Sequence, residues 1–362
     1  MKKKLLIITG GTGGHVIPAE NFANYLTNNN ILCSIIVDKR GKKYLNSFKG
    51  EINIIYPSSI NGGFISKFIS IFKLILSFIS SIYIILKINP NKIVSFGSYA
   101  SFPPLLVCLI LKMFTYREIY IHEQNTIIGR TNKIFLIFAK KIFLNFDIKY
   151  KMKKFYLNKT FVVGSPNNNI NFIDKKTRNV NKNFTVFIYG GSQGSEYLIE
   201  FIIDLIEQIK ENEIMNYKFI IQCPKRLEIS LKEKLTLFNC KYEINEYFKN
   251  INNILSQSSL VISRAGAGTI NDLIQYKLPS ILIPLPNSKD NHQYENALIL
   301  KKINTSLVLD QRKHEVNVAK NYIYELYKST KKIDNIKENF NYFTKINSND
   351  LMLKLINNDQ KN

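Results

Sequence analysis

Residues Leu5 to Ala19, LLIITGGTGGHVIPA, run from an apolar stretch into four glycines and a histidine. A strand that ends in glycines and re-enters as a helix leaves backbone N–H groups at a helix amino end, where the partial positive charge attracts phosphate. Gly10, Gly11, Gly13 and Gly14 let that backbone approach a ligand without Cβ atoms in the way. The Lys-Ser/Thr of a mononucleotide loop is missing, and Val16 stands where the pattern G-x-G-x-x-G needs its last glycine. These departures argue against simple ATP or NAD binding; a ligand-free strand-to-helix turn is the competing reading. FTVFIYGGSQGS, from Phe184, repeats the design, with Ser192 and Gln193 offering side-chain hydrogen bonds. In VISRAGAGTINDLI, from Val261, Gly266 and Gly268 lead into a helix that carries Asp272 in its opening turns. This third loop suits a diphosphate at the helix start and a carboxylate against ribose hydroxyls, although the helix dipole favours an early acidic residue on its own.

His15 closes the first loop, and imidazole, with an ordinary pKa of about 6.5, accepts a proton at cytoplasmic pH. It is the first candidate for a general base; bracing the turn is the alternative. His122 and Glu123 end another apolar run, at the strand end where ligands of open parallel sheets gather. Either serves as base or positions an acceptor. The chain holds no D-x-D, and its four histidines, His15, His122, His292 and His314, lack metal-ligand spacing. No metal and no cofactor are expected, so helix dipoles and neutral donors would have to stabilise a leaving diphosphate.

The elements that must position these residues follow from the alternation of short Ile/Val/Phe-rich runs with helical-period segments, the pattern of parallel sheets with crossover helices. Strands are expected at 5–9, 32–37, 92–96, 119–122, 141–145 and 160–163, then at 184–189, 217–222, 260–263, 280–284 and 305–309. The polar, turn-rich stretch VVGSPNNNINFIDKKTRNVNKN separates the two series. The fold class is therefore α/β, with two tandem Rossmann-like domains at 1–164 and 165–340 and a helical tail at 341–362.

At 362 residues and 45% hydrophobic composition the chain can bury a sizeable core. Its net charge of +23 suits an acidic partner. Only 7 of the 50 basic residues are arginine, however, and Lys, Asn and Ile crowd the chain as a biased base composition would have it. A basic nucleic-acid-binding protein is the remote alternative, supported by charge alone. Cys33, Cys108, Cys223 and Cys240 are widely spaced in apolar runs and suggest neither disulfides nor zinc. FISKFISIFKLILSFISSIYIIL, residues 64–86, is long enough to span a bilayer. Ser66, Ser70, Lys73, Ser77 and Ser81 nevertheless form a narrow polar stripe between broad apolar flanks. A crossover helix is expected, with one flank on the sheet and the other, beside Lys67, Lys73 and Lys87, facing an anionic membrane surface.

Seven strings between residues 10 and 297 resemble, in order, the MurG family of peptidoglycan glycosyltransferases: GGTGGHVIPA, GSYASFPP, HEQNTIIGRTNK, GGSQGS, SRAGAGTINDL, LPSILIPLP and DNHQYENA. The resemblance implies a glycosyltransferase B fold with its active site in the cleft between halves. It implies UDP-N-acetylglucosamine as donor and an undecaprenyl-diphosphate-linked muramoyl-pentapeptide as acceptor, at the cytoplasmic side of the cell membrane and with no nucleic acid. Carried over by motif, Thr12, Gly13, Gly14 and Asn125 meet the donor from the first half. Ser192 and the stretch Ala267, Gly268, Thr269, Ile270, Asn271 and Asp272 surround UDP, Phe248 sits at the uracil and Gln293 reaches the sugar. Three positions depart from the family pattern: Asn168 in place of an arginine, Asp272 in place of glutamate, and Phe102 in place of a small residue. A soluble UDP-N-acetylglucosamine epimerase of the same fold is the rival enzyme reading.

Overall fold

The computed structural model describes residues 4–57, 63–167, 184–191, 195–248, 250–344 and 346–358. Contacts divide the chain into two compact units, Met1–Ile170 with Lys345–Asn362, and Asn171–Thr344. The carboxy-terminal segment, expected as a separate tail from residue 341, thus joins the first unit from Lys345 onward.

Unit 1 is built on β1 (Leu5–Ile8), β2 (Cys33–Asp38), β3 (Glu51–Ile55), β4 (Lys92–Ser95), β5 (Glu118–Glu123), β6 (Lys141–Leu144) and β7 (Thr160–Val162). The central strands read as continuous apolar runs because a parallel sheet is covered on both faces; all four residues of β1 are buried. The order is β3-β2-β1-β4-β5-β6-β7 with every pair parallel. Strand order reverses between β1 and β4, and Ile8 pairs with Ser95, so the loops after these strands leave the sheet side by side. That is the switch point where open α/β sheets bind ligands.

Helix α1 (Gly13–Asn28) follows the first glycine loop, α2 (Phe64–Ile88) precedes β4, α3 (Phe102–Lys112) follows it, and α4 (Arg130–Phe135) lies between β5 and β6. In α2 three serines of the stripe face inward. Ser70, Ser77 and Ser81 are buried, while Phe68, Phe72, Ile75, Ile79 and Tyr83 are exposed. Small side chains let α2 pack closely on α3, which leaves the bulky flank outside. Ser66 lies outside the residues whose side chains are described.

Unit 2 is built on β8 (Phe184–Tyr189), β9 (Tyr217–Gln222), β10 (Lys241–Asn245), β11 (Leu260–Ser263), β12 (Ser280–Leu282) and β13 (Ser306–Val308). They form a parallel sheet in the order β10-β9-β8-β11-β12-β13. Here the switch point falls between β8 and β11, where Tyr189 pairs with Ser263. Its helices include α5 (Glu196–Glu207), α6 (Ala267–Tyr276), α7 (His292–Lys302) and α8 (Val316–Lys328).

The last helix, α9 (Ser348–Asn357), buries Met352 and Ile356 in the unit 1 core with Phe22 and Leu26 of α1. Lys92 and Lys141 donate from the sheet to the carbonyls of Ile356 and Leu355, each at 2.6 Å. Cations at a helix carboxyl end oppose the negative pole of its dipole.

Candidate active site

In unit 1 three loops converge at the switch point. Asp38, at the end of β2, accepts from the Gly11 N–H at 2.7 Å, the Gly41 N–H at 2.9 Å and the Tyr99 hydroxyl at 2.9 Å. A dinucleotide site would use an acidic group at this strand end for ribose; here its oxygens are spent on holding the glycine loop. A Cβ on Gly10 would lie 2.6 Å from that of Ala100, and one on Gly11, whose φ is +80°, 2.8 Å from Ser98 Oγ. Glycine is therefore demanded by packing before any ligand is considered. Thr12 is exposed at the head of α1, Gly13 is buried, and Gly14 and His15 are half-buried. His15 Nδ1–H donates to the Phe96 carbonyl at 2.9 Å, the tautomer that puts the basic lone pair on Nε2.

His122 is wholly buried and stacks on the Phe96 ring, centroids 5.1 Å apart. Its Nε2–H donates to the Gly164 carbonyl and its Nδ1 accepts from the Gln124 amide, both at 2.9 Å. Burial pushes its pKa down to about 4, against the raising effect of the Gly164 contact, and His15 adds a lowering push. Glu123 is buried too. Its carboxylate accepts from the Asn125 N–H at 3.0 Å, the Gly129 N–H at 2.8 Å and the Asn132 side chain at 2.9 Å. Both residues are thus consumed in shaping the 123–132 loop. Neither ring nitrogen of His122 nor either oxygen of Glu123 is left without a partner in this structure. Phe102, at the start of α3, packs edge-on against Phe135 of α4 at 5.7 Å.

In unit 2 the third glycine loop enters α6 at Ala267. Ala267, Thr269 and Ile270 are buried, Gly268 is exposed, and Asn271 and Asp272 are half-buried. The Tyr189 hydroxyl donates to Asp272 Oδ2 at 3.3 Å. Burial pushes the Asp272 carboxyl up to about 7, and the Tyr189 bond only partly opposes this. Tyr189 stacks on Phe187 at 4.9 Å, and Phe187 meets Phe248 edge-on at 5.7 Å. An aromatic row therefore joins the residue expected at the uracil to the one expected at the ribose. Gln293 Oε1 accepts from the Leu285 N–H at 3.0 Å, and Asn296 of α7 donates to the Ala265 carbonyl at 3.1 Å, pinning the glycine turn. Ile270, wholly buried, offers a ligand no side chain. Ser192 and Asn168 lie outside the described residues.

Arg264 is buried directly before that loop. It donates to the Ile283 carbonyl at 2.9 Å and to Ser195 Oγ at 2.9 Å, and its guanidinium lies 5.5 Å from the Tyr197 ring centroid. Among the described residues no carboxylate pairs with it. A buried cation held by neutral groups leaves its field for an anion. Arg264 and Asp38 escape a reading by glycine spacing; the signal for each is a charge at the end of an apolar strand run.

Residues 5–144 match the glycosyltransferase family 28 N-terminal domain and residues 185–350 its C-terminal domain. A Rickettsia canadensis protein named UDP-N-acetylglucosamine–N-acetylmuramyl-(pentapeptide) pyrophosphoryl-undecaprenol N-acetylglucosamine transferase is 32% identical over 346 residues, spanning 93% of this chain and 94% of the relative. The chain belongs to glycosyltransferase family 28. Family 28 membership makes it a glycosyltransferase of two Rossmann-like domains, the glycosyltransferase B fold. The crystal structure of Acinetobacter baumannii MurG matches with a TM-score of 0.77 at 20% identity, covering 98% of this chain and 99% of that one. A Neisseria meningitidis UDP-GlcNAc 2-epimerase bound to UDP-GlcNAc matches with a TM-score of 0.68 at 11% identity over 98% and 99%. Both likenesses concern the fold. Of the described residues expected at the site, Thr12 to His15 follow β1 at the β1/β4 switch point of unit 1, and Ala267 to Asp272 follow β11 at the β8/β11 switch point of unit 2.

Proposed function

We propose that this family 28 glycosyltransferase moves N-acetylglucosamine from UDP-N-acetylglucosamine to the N-acetylmuramoyl sugar of undecaprenyl-diphosphate-linked pentapeptide, turning lipid I into lipid II in peptidoglycan synthesis. The observation that carries it is the Rickettsia canadensis relative named for that reaction, 32% identical across 93% of the chain. The epimerase reading has only a shared fold behind it.

In the inverting step His15 Nε2 takes the proton from the acceptor hydroxyl. The acceptor oxygen then bonds to the anomeric carbon from the face opposite UDP, and the carbon–oxygen bond to the β-phosphate breaks with its electron pair leaving on UDP. Thr12, Gly13, Gly14 and Asn125 contribute from unit 1. In unit 2, Asp272 accepts the ribose hydroxyls, Phe248 flanks the uracil, and Gln293 turns its amide N–H groups to the sugar. The amino end of α6 and the Arg264 cation meet the developing diphosphate charge. Labelled N-acetylglucosamine should pass from UDP-N-acetylglucosamine to a lipid I analogue with EDTA present. Donor consumption without a lipid-linked product would overturn the reading.

The acceptor's lipid gives the exposed flank of α2 a purpose. The segment Lys67–Ile88 is long and apolar enough to cross a membrane, yet it runs as a crossover helix with Phe68, Phe72, Ile75, Ile79 and Tyr83 outward. We assign this flank, with exposed Lys67, Lys73 and Lys87, to peripheral contact with the anionic cytoplasmic leaflet. Each basic residue near such a surface adds about 1 kcal/mol. The protein should float with phosphatidylglycerol vesicles at low salt, and the double substitution Phe72→Glu with Ile79→Glu should abolish flotation. Equal flotation of the two proteins would sink the assignment.

A further inference from the structure

One polar constellation in unit 2 has no part in the chemistry above. The Tyr197 hydroxyl, in the first turn of α5, lies 3.1 Å from His314 Nδ1, and His314 Nε2 lies 2.7 Å from Asp204 Oδ2. With Nε2–H donating to the carboxylate, Nδ1 of the neutral ring accepts the Tyr197 O–H. Tyr197, Phe201 and Asp204 fall at i, i+4 and i+7 of one helix, which puts them on one face. The His314 ring stands edge-on to both Tyr197 and Phe201, each at 5.7 Å. His314 holds a left-handed backbone, φ 48°, and its carbonyl accepts from the Val316 N–H at 2.8 Å. The segment between β13 and α8 is thereby fastened to the start of α5.

At its other end the constellation reaches Arg264, whose guanidinium sits over the Tyr197 ring while its Nη2 donates to Ser195 Oγ, two residues before Tyr197. The side chains of His314 and Asp204 are 42% and 45% exposed, so the hydrogen bond between them by itself adds little to stability. Its consequence is geometric. It fixes the ring on which a buried, carboxylate-free cation rests.

We propose that Tyr197, locked by His314 and Asp204, is a positioning residue that sets the Arg264 guanidinium for the donor's diphosphate. This rests on the reading that UDP-N-acetylglucosamine binds unit 2 at its glycine loops. A Tyr197 ring free to turn would let Arg264 swing off its axis, and the loss would fall on donor affinity before it fell on folding.

The test is calorimetric binding of UDP to the full chain, with KM, kcat and melting temperature recorded for each variant. Tyr197→Ala should weaken UDP binding about tenfold and raise KM for the donor more than it changes kcat. Tyr197→Phe and His314→Ala should each weaken it about threefold, and their combination no further, since both remove one interaction. His314→Gln, which can accept from the phenol and donate to Asp204, should restore affinity. If Tyr197→Ala binds UDP like the parent while Arg264→Lys does not, the positioning role is wrong and the donor site stands. If the parent chain itself fails to bind UDP, the donor reading falls and the proposal with it.

Discussion

Replacing His15 by alanine is expected to lower kcat for lipid-linked product by about 10²–10⁴-fold, the range of a lost general base, while UDP affinity stays at the parent value. The split follows from placement. His15 sits in the first turn of α1 in unit 1, and the groups proposed to hold UDP in unit 2 do not include it. His15→Gln separates a base from a brace, because glutamine can still donate to the Phe96 carbonyl that His15 Nδ1 contacts at 2.9 Å but cannot accept a proton at neutral pH. A glutamine variant within tenfold of the parent would remove His15 from the proton transfer. His122 is not expected to substitute, because its two nitrogens are engaged at 2.9 Å by Gly164 and Gln124, and burial, which lowers its pKa to about 4, makes it a weak base.

This contrast marks how far residue order alone carries. The glycine loops were legible because an apolar run, glycines and a helical period are local features, and the strands they follow lie at the centre of each sheet. The edge strands β3 and β10 were not. Glu51 and the alternately exposed residues of β10 break the apolar run that a doubly covered strand shows. His122 and Glu123 looked reactive because a strand end is where ligands bind, yet their partners Gly164 and Asn132 are brought there by the fold alone. The serine stripe of α2 marked a crossover helix without saying which way the stripe itself turns; Ser77 and Ser81 are 1% and 0% exposed, because a small side chain serves close helix contact as well as hydration. Docking of α9 on α1 joins segments more than three hundred residues apart and leaves no local trace beyond the i, i+4 pair Met352 and Ile356.

Asp272→Asn is expected to weaken UDP binding by about ten- to a hundredfold, the worth of a charge-assisted hydrogen bond or two, and at the same time to raise the melting temperature of the free protein above pH 7. The two changes run in opposite directions for one physical reason. Burial lifts the Asp272 carboxyl from 3.8 to about 7. Between those values the folded chain keeps a proton that the unfolded chain has released, so stability falls as pH rises through the window, by at most ~4 kcal/mol. The neutral amide escapes that cost. Ribose hydroxyls, in contrast, donate to the ionised carboxylate, so binding favours the charged form. UDP affinity of the parent should then fall as pH drops from about 8 to 6, with a proton released on binding near pH 7, measurable by calorimetry in buffers of different ionisation enthalpy. Affinity that is flat across this range would exclude the ribose contact. Loss of both affinity and stability in the asparagine variant would instead make Asp272 a scaffold residue, needed by Tyr189 across their 3.3 Å contact rather than by the donor.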